Sequence, residues 1–505
     1  MRRNVLFCGT HPAQFNGYSK VMFELSNELS KFDDINLYIY GFQNYYDVKK
    51  HIEERSLTNV TIRDAYLSEE PKNKGFGESN IIDYVNKISP DIVIVYNDLS
   101  VICTMLKKLS EIPDRKFKIV PYIDLVYKNQ SNKLLKFIDD NSDAGIAFTE
   151  HWKQVLVDQV FKKPLWILEH GFNKKVYYPI PQKIARKYFS IDEKSFVIMN
   201  LNRNQPRKRW DNCIMAYIKF ISTHLTENIK LLVLTAVTGA WDLSELITFE
   251  ANKYNLTLQD VKPFFTFVQN PQKLSDNDIN IMYNVADIGW NTCDGEGFGL
   301  CNFEQAGVGI PQIIPHIGGF LDFFNESNSI PVKPTHHIYS DNTNNAVGGI
   351  LELCSIDDYV NALERYYSDR ELILQHGKQA RSDVTKYEWK QKAEHLRKII
   401  IESTQDLFPV ESNIMEEMND LINKKDDEVT EVTEVTEVED DINKMGSHDD
   451  VDDLIQKKIN EQQTESSIQL KITPSSKPVV AEPQLDEMTK DDLISLQQKI
   501  NKLLN

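Results

Sequence analysis

Two carboxylates, Glu296 and Glu304, frame the stretch Asp294-Gly295-Glu296-Gly297-Phe298-Gly299-Leu300-Cys301-Asn302-Phe303-Glu304, with seven residues between them. Glycine at 295, 297 and 299 lets the backbone come close to a bound molecule, and a helix starting near Phe298 presents unpaired N–H groups at its mouth. Glu296 then lies at that mouth and Glu304 about two turns inside the helix. Both face one crevice at the carboxyl end of a sheet. Ionised carboxylates only accept hydrogen bonds, so the chemistry on offer is the holding of N–H or O–H donors of a bound molecule.

A second cluster has the opposite charge. Arg203, Arg207, Lys208 and Arg209 fall within seven residues, in Asn202-Arg203-Asn204-Gln205-Pro206-Arg207-Lys208-Arg209, directly after a strand-like run. Arginine offers a planar fork to phosphate and lysine a point charge, which suits a doubly anionic ligand such as a nucleotide diphosphate. A solvated basic loop is the plainer reading.

These residues need a scaffold. Apolar runs at residues 4–9, 37–41, 60–64, 91–96, 118–123, 145–149 and 165–169 read as strands separated by helix-length segments, including an amphipathic helix over 18–32. The alternation restarts at 196–201, 230–237, 264–268, 286–290, 312–315 and 330–332. Strand and helix in alternation predict an α/β chain with two doubly wound parallel sheets. From Ser355 the pattern is helical, with a terminal helix over residues 388–403.

The motif EGFGLCNFE, the run to Pro311, Gln312-Ile313-Ile314 and Gly318-Gly319 together resemble the donor-site signature of GT-B fold retaining glycosyltransferases of the family 4, or group 1, type. The segment His170-Gly171-Phe172-Asn173 with Val176-Tyr177-Tyr178-Pro179 is similar to the one that closes the first domain in that family. The resemblance spans roughly residues 4–405 and is densest from Asp287 to Gly319. It implies a GT-B fold of two Rossmann-like domains facing a cleft. Residues 1–175 form the acceptor domain and 176–387 the nucleotide-sugar donor domain, and a terminal helix over 388–405 packs back on the first domain.

The resemblance also distributes roles. Arg203 and Lys208, five positions apart, hold the donor diphosphate. Glu304 binds the ribose, Glu296 contacts the sugar, and the backbone of Gly297, Phe298, Gly299 and Leu300 borders it. Gly17, ahead of the first helix, is placed for a phosphate; relatives usually carry two glycines there, and this chain has Asn16-Gly17. Asp124 after the fifth strand is placed to orient an acceptor hydroxyl, although a helix-cap aspartate reads equally well. Glu150 opens a helix beside the cleft, where the helix dipole alone explains an acidic residue. His170 is structural rather than catalytic. The implied activity is transfer of a sugar from a UDP- or GDP-linked donor to a glycan, lipid or protein acceptor with retention of configuration. It needs no cofactor and no metal. The acid pair in Asp276-Asn277-Asp278 looks like a metal-binding DxD, but Ser275 with Asp278 three residues on reads as a helix cap. An inactive nucleotide-sugar-binding scaffold acting through an acidic tail is the alternative. A GT-B relative of phosphorylase type fits less well, for want of a cofactor-lysine motif.

Composition narrows the class. Of the net charge of −18, residues 410–505 carry −14, from 24 acidic and 10 basic side chains. Residues 1–409 are thus near neutral, which argues against a nucleic-acid partner. Six scattered cysteines without a CxxC pair suit a reducing compartment, and with no secretory pattern at the start a cytoplasmic location is expected. No run approaches a membrane-spanning length. The basic stretch Lys107-Lys108 and Arg115-Lys116-Phe117-Lys118 suits peripheral contact with an anionic membrane holding a lipid acceptor, a solvated face being the simpler reading. The near-repeat over 429–441 reads as an acidic disordered linker, and residues 488–504 carry the spacing of one short amphipathic helix. Deleting 410–505 is expected to leave folding and donor binding intact.

Overall fold

The computed structural model describes residues 2–45, 55–69, 74–269, 271, 274–341 and 348–408. The acidic segment and the terminal amphipathic stretch expected between 410 and 505 lie outside the described residues.

Seven strands form the first sheet: β1 (Arg3–Thr10), β2 (Ile35–Phe42), β3 (Val60–Asp64), β4 (Ile92–Asp98), β5 (Lys118–Asp124), β6 (Gly145–Ala147) and β7 (Leu165–Ile167), all parallel, in the order β3-β2-β1-β4-β5-β6-β7. Six form the second: β8 (Phe196–Leu201), β9 (Ile229–Leu234), β10 (Phe265–Val268), β11 (Ile288–Trp290), β12 (Gln312–Pro315) and β13 (Ser329–Val332), also parallel, in the order β10-β9-β8-β11-β12-β13. Helices cover parallel strands on both faces, so the strands read as continuous apolar runs. Val5, Leu6 and Phe7 are fully buried. In each sheet the chain reverses its winding beside the first strand, between β1 and β4 and between β8 and β11. Loops leaving the strand ends there form the crevice of a doubly wound sheet. The fold therefore sends the basic cluster out of β8 and the glycine-rich motif out of β11, side by side.

Local signals set the helix starts. Asn16 caps Gly17–Leu29 through a reciprocal box with Ser19, Asp98 caps Leu99–Leu109, and Thr149 caps Glu150–Gln159. Near the end of the described residues, the helix Trp389–Ser403 lies against Gly17–Leu29 of the first half. Arg397 grips Asp34 there with bonds of 2.7–3.0 Å, and Arg3 donates to Thr404 at 2.9 Å.

Sequence periodicity misses one element. The strands β14 (Pro334–Ser340) and β15 (Gly349–Cys354) pair as an antiparallel hairpin. Residues 335–339 of β14 are all exposed, so no alternation of apolar and polar residues marks it. The end of the hairpin where Tyr339 pairs Ile350, away from its base at Pro334 and Cys354, reaches the first domain, where Ile350 N–H donates to Lys128 O at 2.8 Å. β11 is also shorter than the apolar run over 286–290; just ahead of it the Asp287 side chain accepts from Val197 N–H and Arg186 at 2.7 and 2.8 Å. Among the described residues no helix is long and apolar enough to cross a membrane, and all six cysteines are free thiols.

Candidate functional site

The motif loop runs from β11 to the helix Leu300–Gly307 and is buried along almost its whole length. Its glycines are required by close contact. A Cβ at Gly297 would stand 2.1 Å from Asp124 Oδ1, and one at Gly295 would stand 2.4 Å from the Tyr127 ring. Both neighbours belong to the first domain, so these glycines let the second domain's loop lie directly on the first. Gly299 has φ of 81° as the residue ahead of the helix, and a side chain there would also strike Phe320. Trp152 Nε1 donates to Gly297 O at 2.6 Å and closes the contact. Among the described residues no acceptor takes the N–H groups of Gly297, Phe298 or Gly299, which leaves a row of donors along the loop.

Glu296 is nearly enclosed and carries two cations. Lys208 bonds one carboxylate oxygen, and Arg207 stands 3.4 Å from the other. Burial works against ionisation here, but the charges of Lys208 and Arg207 outweigh it and hold the Glu296 carboxyl down at about 2. Arg207 also donates to Gly295 O at 2.6 Å, so it braces the loop as well as its carboxylate. Lys208 ends the short turn Pro206–Lys208 after β8. Arg209 follows in the left-handed region at φ of 47° and starts the helix Trp210–Ile221. Arg203 differs from the rest of its cluster: it is exposed, and among the described residues its guanidinium has no partner.

Glu304 is buried with 3 % of its side chain exposed, and a residue of the opposite domain reaches it. Lys20 Nζ lies 2.8 and 3.0 Å from its two oxygens, and Tyr283 donates to it at 2.9 Å. Lys20 is in turn bonded to Tyr177 and stands 3.5 Å from Asp276, which Arg55 also pairs at 3.2 Å. The Asp276-Asn277-Asp278 run is thereby divided. Asp278 completes the capping box with Ser275, as the sequence indicates, while Asp276 joins a network across the domains.

Asp124 ends β5 facing the motif. One oxygen accepts from Tyr18, and Oδ1 is shut off from solvent with no partner among the described residues. Burial is the main cause that lifts its carboxyl to about 7. His170 is enclosed by rings, with Phe298 at 4.2 Å and Phe148 at 4.7 Å between centroids. Burial pushes it down to about 3, so it is a neutral packing residue. Gly17 is exposed at the start of its helix, with only Leu300 within 3.9 Å of a Cβ placed there. Glu150 is exposed in the first turn of its helix.

The structure thus brings Asp124, Glu296, Gly297 and Lys208 together, and it sets Gly17 beside Leu300. Arg207, one of the basic cluster seen in the sequence, joins them, while Lys20, Tyr18 and Trp152 belong to the same ensemble and escape sequence reasoning. The available signal for Lys20 is a charged residue one turn beyond Gly17, on the same face of the helix that Gly17 opens.

No family model matches the chain. It is 22% identical over 254 residues to a D-inositol 3-phosphate glycosyltransferase of Gordonia bronchialis, a match that takes in 50% of this chain and 50% of that protein. The chain thus matches about half the length of that relative. Among solved structures it resembles sucrose-phosphate synthase from Thermosynechococcus elongatus, with a TM-score of 0.60 and 16% identity over 79% of this chain and 98% of the other. It also resembles Anabaena HepE in complex with UDP and glucose, with a TM-score of 0.60 and 12% identity over 79% and 99%. A glycosyltransferase from Rickettsia africae gives a TM-score of 0.59 and 13% identity over 81% and 100%. At these identities the likeness establishes the fold: two parallel Rossmann-like sheets in the GT-B arrangement.

Proposed function

We propose that this chain is a retaining glycosyltransferase of the family 4 type, moving a sugar from a nucleotide-diphosphate donor to an acceptor hydroxyl without a metal. The observation that carries the reading is the pairing of motif and charge: Glu296 at the mouth of the motif helix with Lys208 against it, and Glu304 within the same helix. The Anabaena structure with UDP and glucose and the half-length match to an inositol-phosphate glycosyltransferase support it.

In this reading Lys208, Arg203 and Arg207 hold and neutralise the diphosphate as the bond to the sugar breaks. Electrostatic stabilisation of developing charge is commonly the largest catalytic term. The free N–H groups of Gly297, Phe298 and Gly299 and the carboxylate of Glu296 position the sugar. Glu304 takes the ribose hydroxyls. Asp124, which faces Gly297 with a free oxygen, orients the acceptor hydroxyl. The leaving phosphate serves as base. The contact between Trp152 and the motif loop keeps water from the reacting face.

The test is a thermal-shift and calorimetric panel of UDP- and GDP-sugars, with and without EDTA, on wild type and Glu304→Ala. One donor should stabilise the wild type, insensitively to EDTA, and the variant should lose most of that effect. Slow release of free sugar in the same samples establishes turnover; binding without release supports the scaffold reading. No stabilisation by any donor overturns the proposal.

A further inference from the structure

The buried pair between Lys20 and Glu304 has a feature the transferase reading leaves unused: its cation comes from the other domain. Lys20 lies on the face of Gly17–Leu29 that also carries Gly17 and Glu24, at spacings of three and four residues. Its ammonium spans both oxygens of Glu304 at 2.8 and 3.0 Å, and Tyr283 takes a further site on one of them at 2.9 Å. An ionised carboxylate has about four lone-pair sites, so acceptor capacity remains for a hydroxyl donor. A protonated one would spend an oxygen on its own proton. We infer that Lys20 is a positioning residue for the donor: bonded to both oxygens, it holds the Glu304 carboxyl turned for the ribose hydroxyls, and it ties that grip to the approach of the two domains.

The inference rests on the transferase reading above. Without Lys20 the enclosed Glu304 would be left beside Asp276, and Arg55, the remaining cation of that network among the described residues, is paired to Asp276 rather than to Glu304. Burial already lifts the Glu304 carboxyl above its ordinary value against the pull of Lys20, and with Lys20 removed it takes up a proton more readily still. The groups around the pair are Asp276, Arg55, Tyr177, Tyr283, Glu24 and Cys301. Glu24, lifted to about 7 chiefly by burial, titrates in the working range, so the comparison is made between variants at each pH.

The experiment measures donor Kd, donor KM and kcat from pH 6 to 9 on the full chain, using the nucleotide sugar that stabilises the wild type. Lys20→Met should raise Kd and KM roughly tenfold or more at pH 7 while kcat at saturation stays within about threefold. Its Kd should improve as pH rises and Glu304 ionises, with the wild-type profile flatter. Lys20→Arg, which keeps the charge, should bind within a few-fold of wild type. If Lys20→Met does not fold, the double variant Lys20→Met/Glu304→Gln removes both charges, and its Kd should equal that of Glu304→Gln alone. Donor binding unchanged in Lys20→Met, with the wild-type pH profile, overturns the inference and spares the transferase reading. Fully additive losses in the double variant overturn it equally. Failure of wild type to bind any donor overturns both.

Discussion

The two motif carboxylates are buried to a similar degree and stand in the same structural unit, yet they are neutralised in different ways. Glu296 draws Lys208 and Arg207 from its own domain, through the loop next door on the same sheet. Glu304 draws Lys20 from across the cleft. The first site is complete once the second domain folds, and the second is complete only when the two domains meet. On the transferase reading, the mouth of the helix is built in advance for the reacting group, while Glu304 within it is paired only where the two domains meet.

The comparison can be broken most severely at Glu296. Glu296→Gln should lower kcat/KM by about 10²–10³, the range seen when a positioned polar group is lost from a reacting centre. Its effect on stability has a defined sign. The carboxyl is held at about 2, below its ordinary 4.5, so its contribution is present above pH 4.5 and is lost as pH falls toward 2. Unfolding midpoints of wild type and variant should therefore converge as the solution is acidified across that window.

Gly297→Ala tests the other half. Its Cβ would stand 2.1 Å from Asp124 Oδ1, so the domains must separate there. Activity should fall about 10²-fold, the scale of a misplacement near 1 Å. Small-angle scattering should show a more open particle, with the pairing of Glu296 and Lys208 intact and that of Glu304 and Lys20 lost. An unchanged particle with normal donor affinity would refute the link between closure and Glu304.

Asp124→Asn should cost about tenfold in kcat, at the modest end for an oriented polar group. In the wild type this carboxyl is raised from 3.8 to about 7, so the stability associated with its neutral form is present below pH 4 and lost as pH rises to 7. The variant lacks that loss. Its midpoint relative to wild type should climb between pH 4 and 7 and level off above, measured by thermal unfolding. The smallest effect belongs to Arg203→Ala. The side chain is exposed, so stability should be unchanged, and donor affinity should fall only a few-fold, as for a solvent-screened charge. Arg207→Ala, by contrast, should lower the melting temperature, because it strips a partner from the enclosed Glu296 and from Gly295 O.

Much of the fold is legible in the chain because its signals are local. Fully buried parallel strands require unbroken apolar runs such as Val5-Leu6-Phe7-Cys8, and helices begin at Asn16, Thr149 and Ser275, where side chains can cap them. The hairpin of β14 and β15 is not legible, since its exposed strand has no face to bury and so no period. The motif glycines are visible by type, but the sequence suggests only that they admit a ligand. It cannot show that Gly295 and Gly297 also admit Tyr127 and Asp124 of the other domain.

The sequence by itself determined the two alternating α/β halves, the glycine-rich turn ahead of a helix, the spacing of the carboxylate pair and the basic loop after a strand, because each follows from periodicity, capping and spacing within a short stretch. Tertiary structure decided which charges meet. Lys20 and Glu304 are separated by 284 positions and Asp124 and Gly297 by 173. A contact at that separation depends on how two folded domains close on each other, and that is recorded in no local pattern.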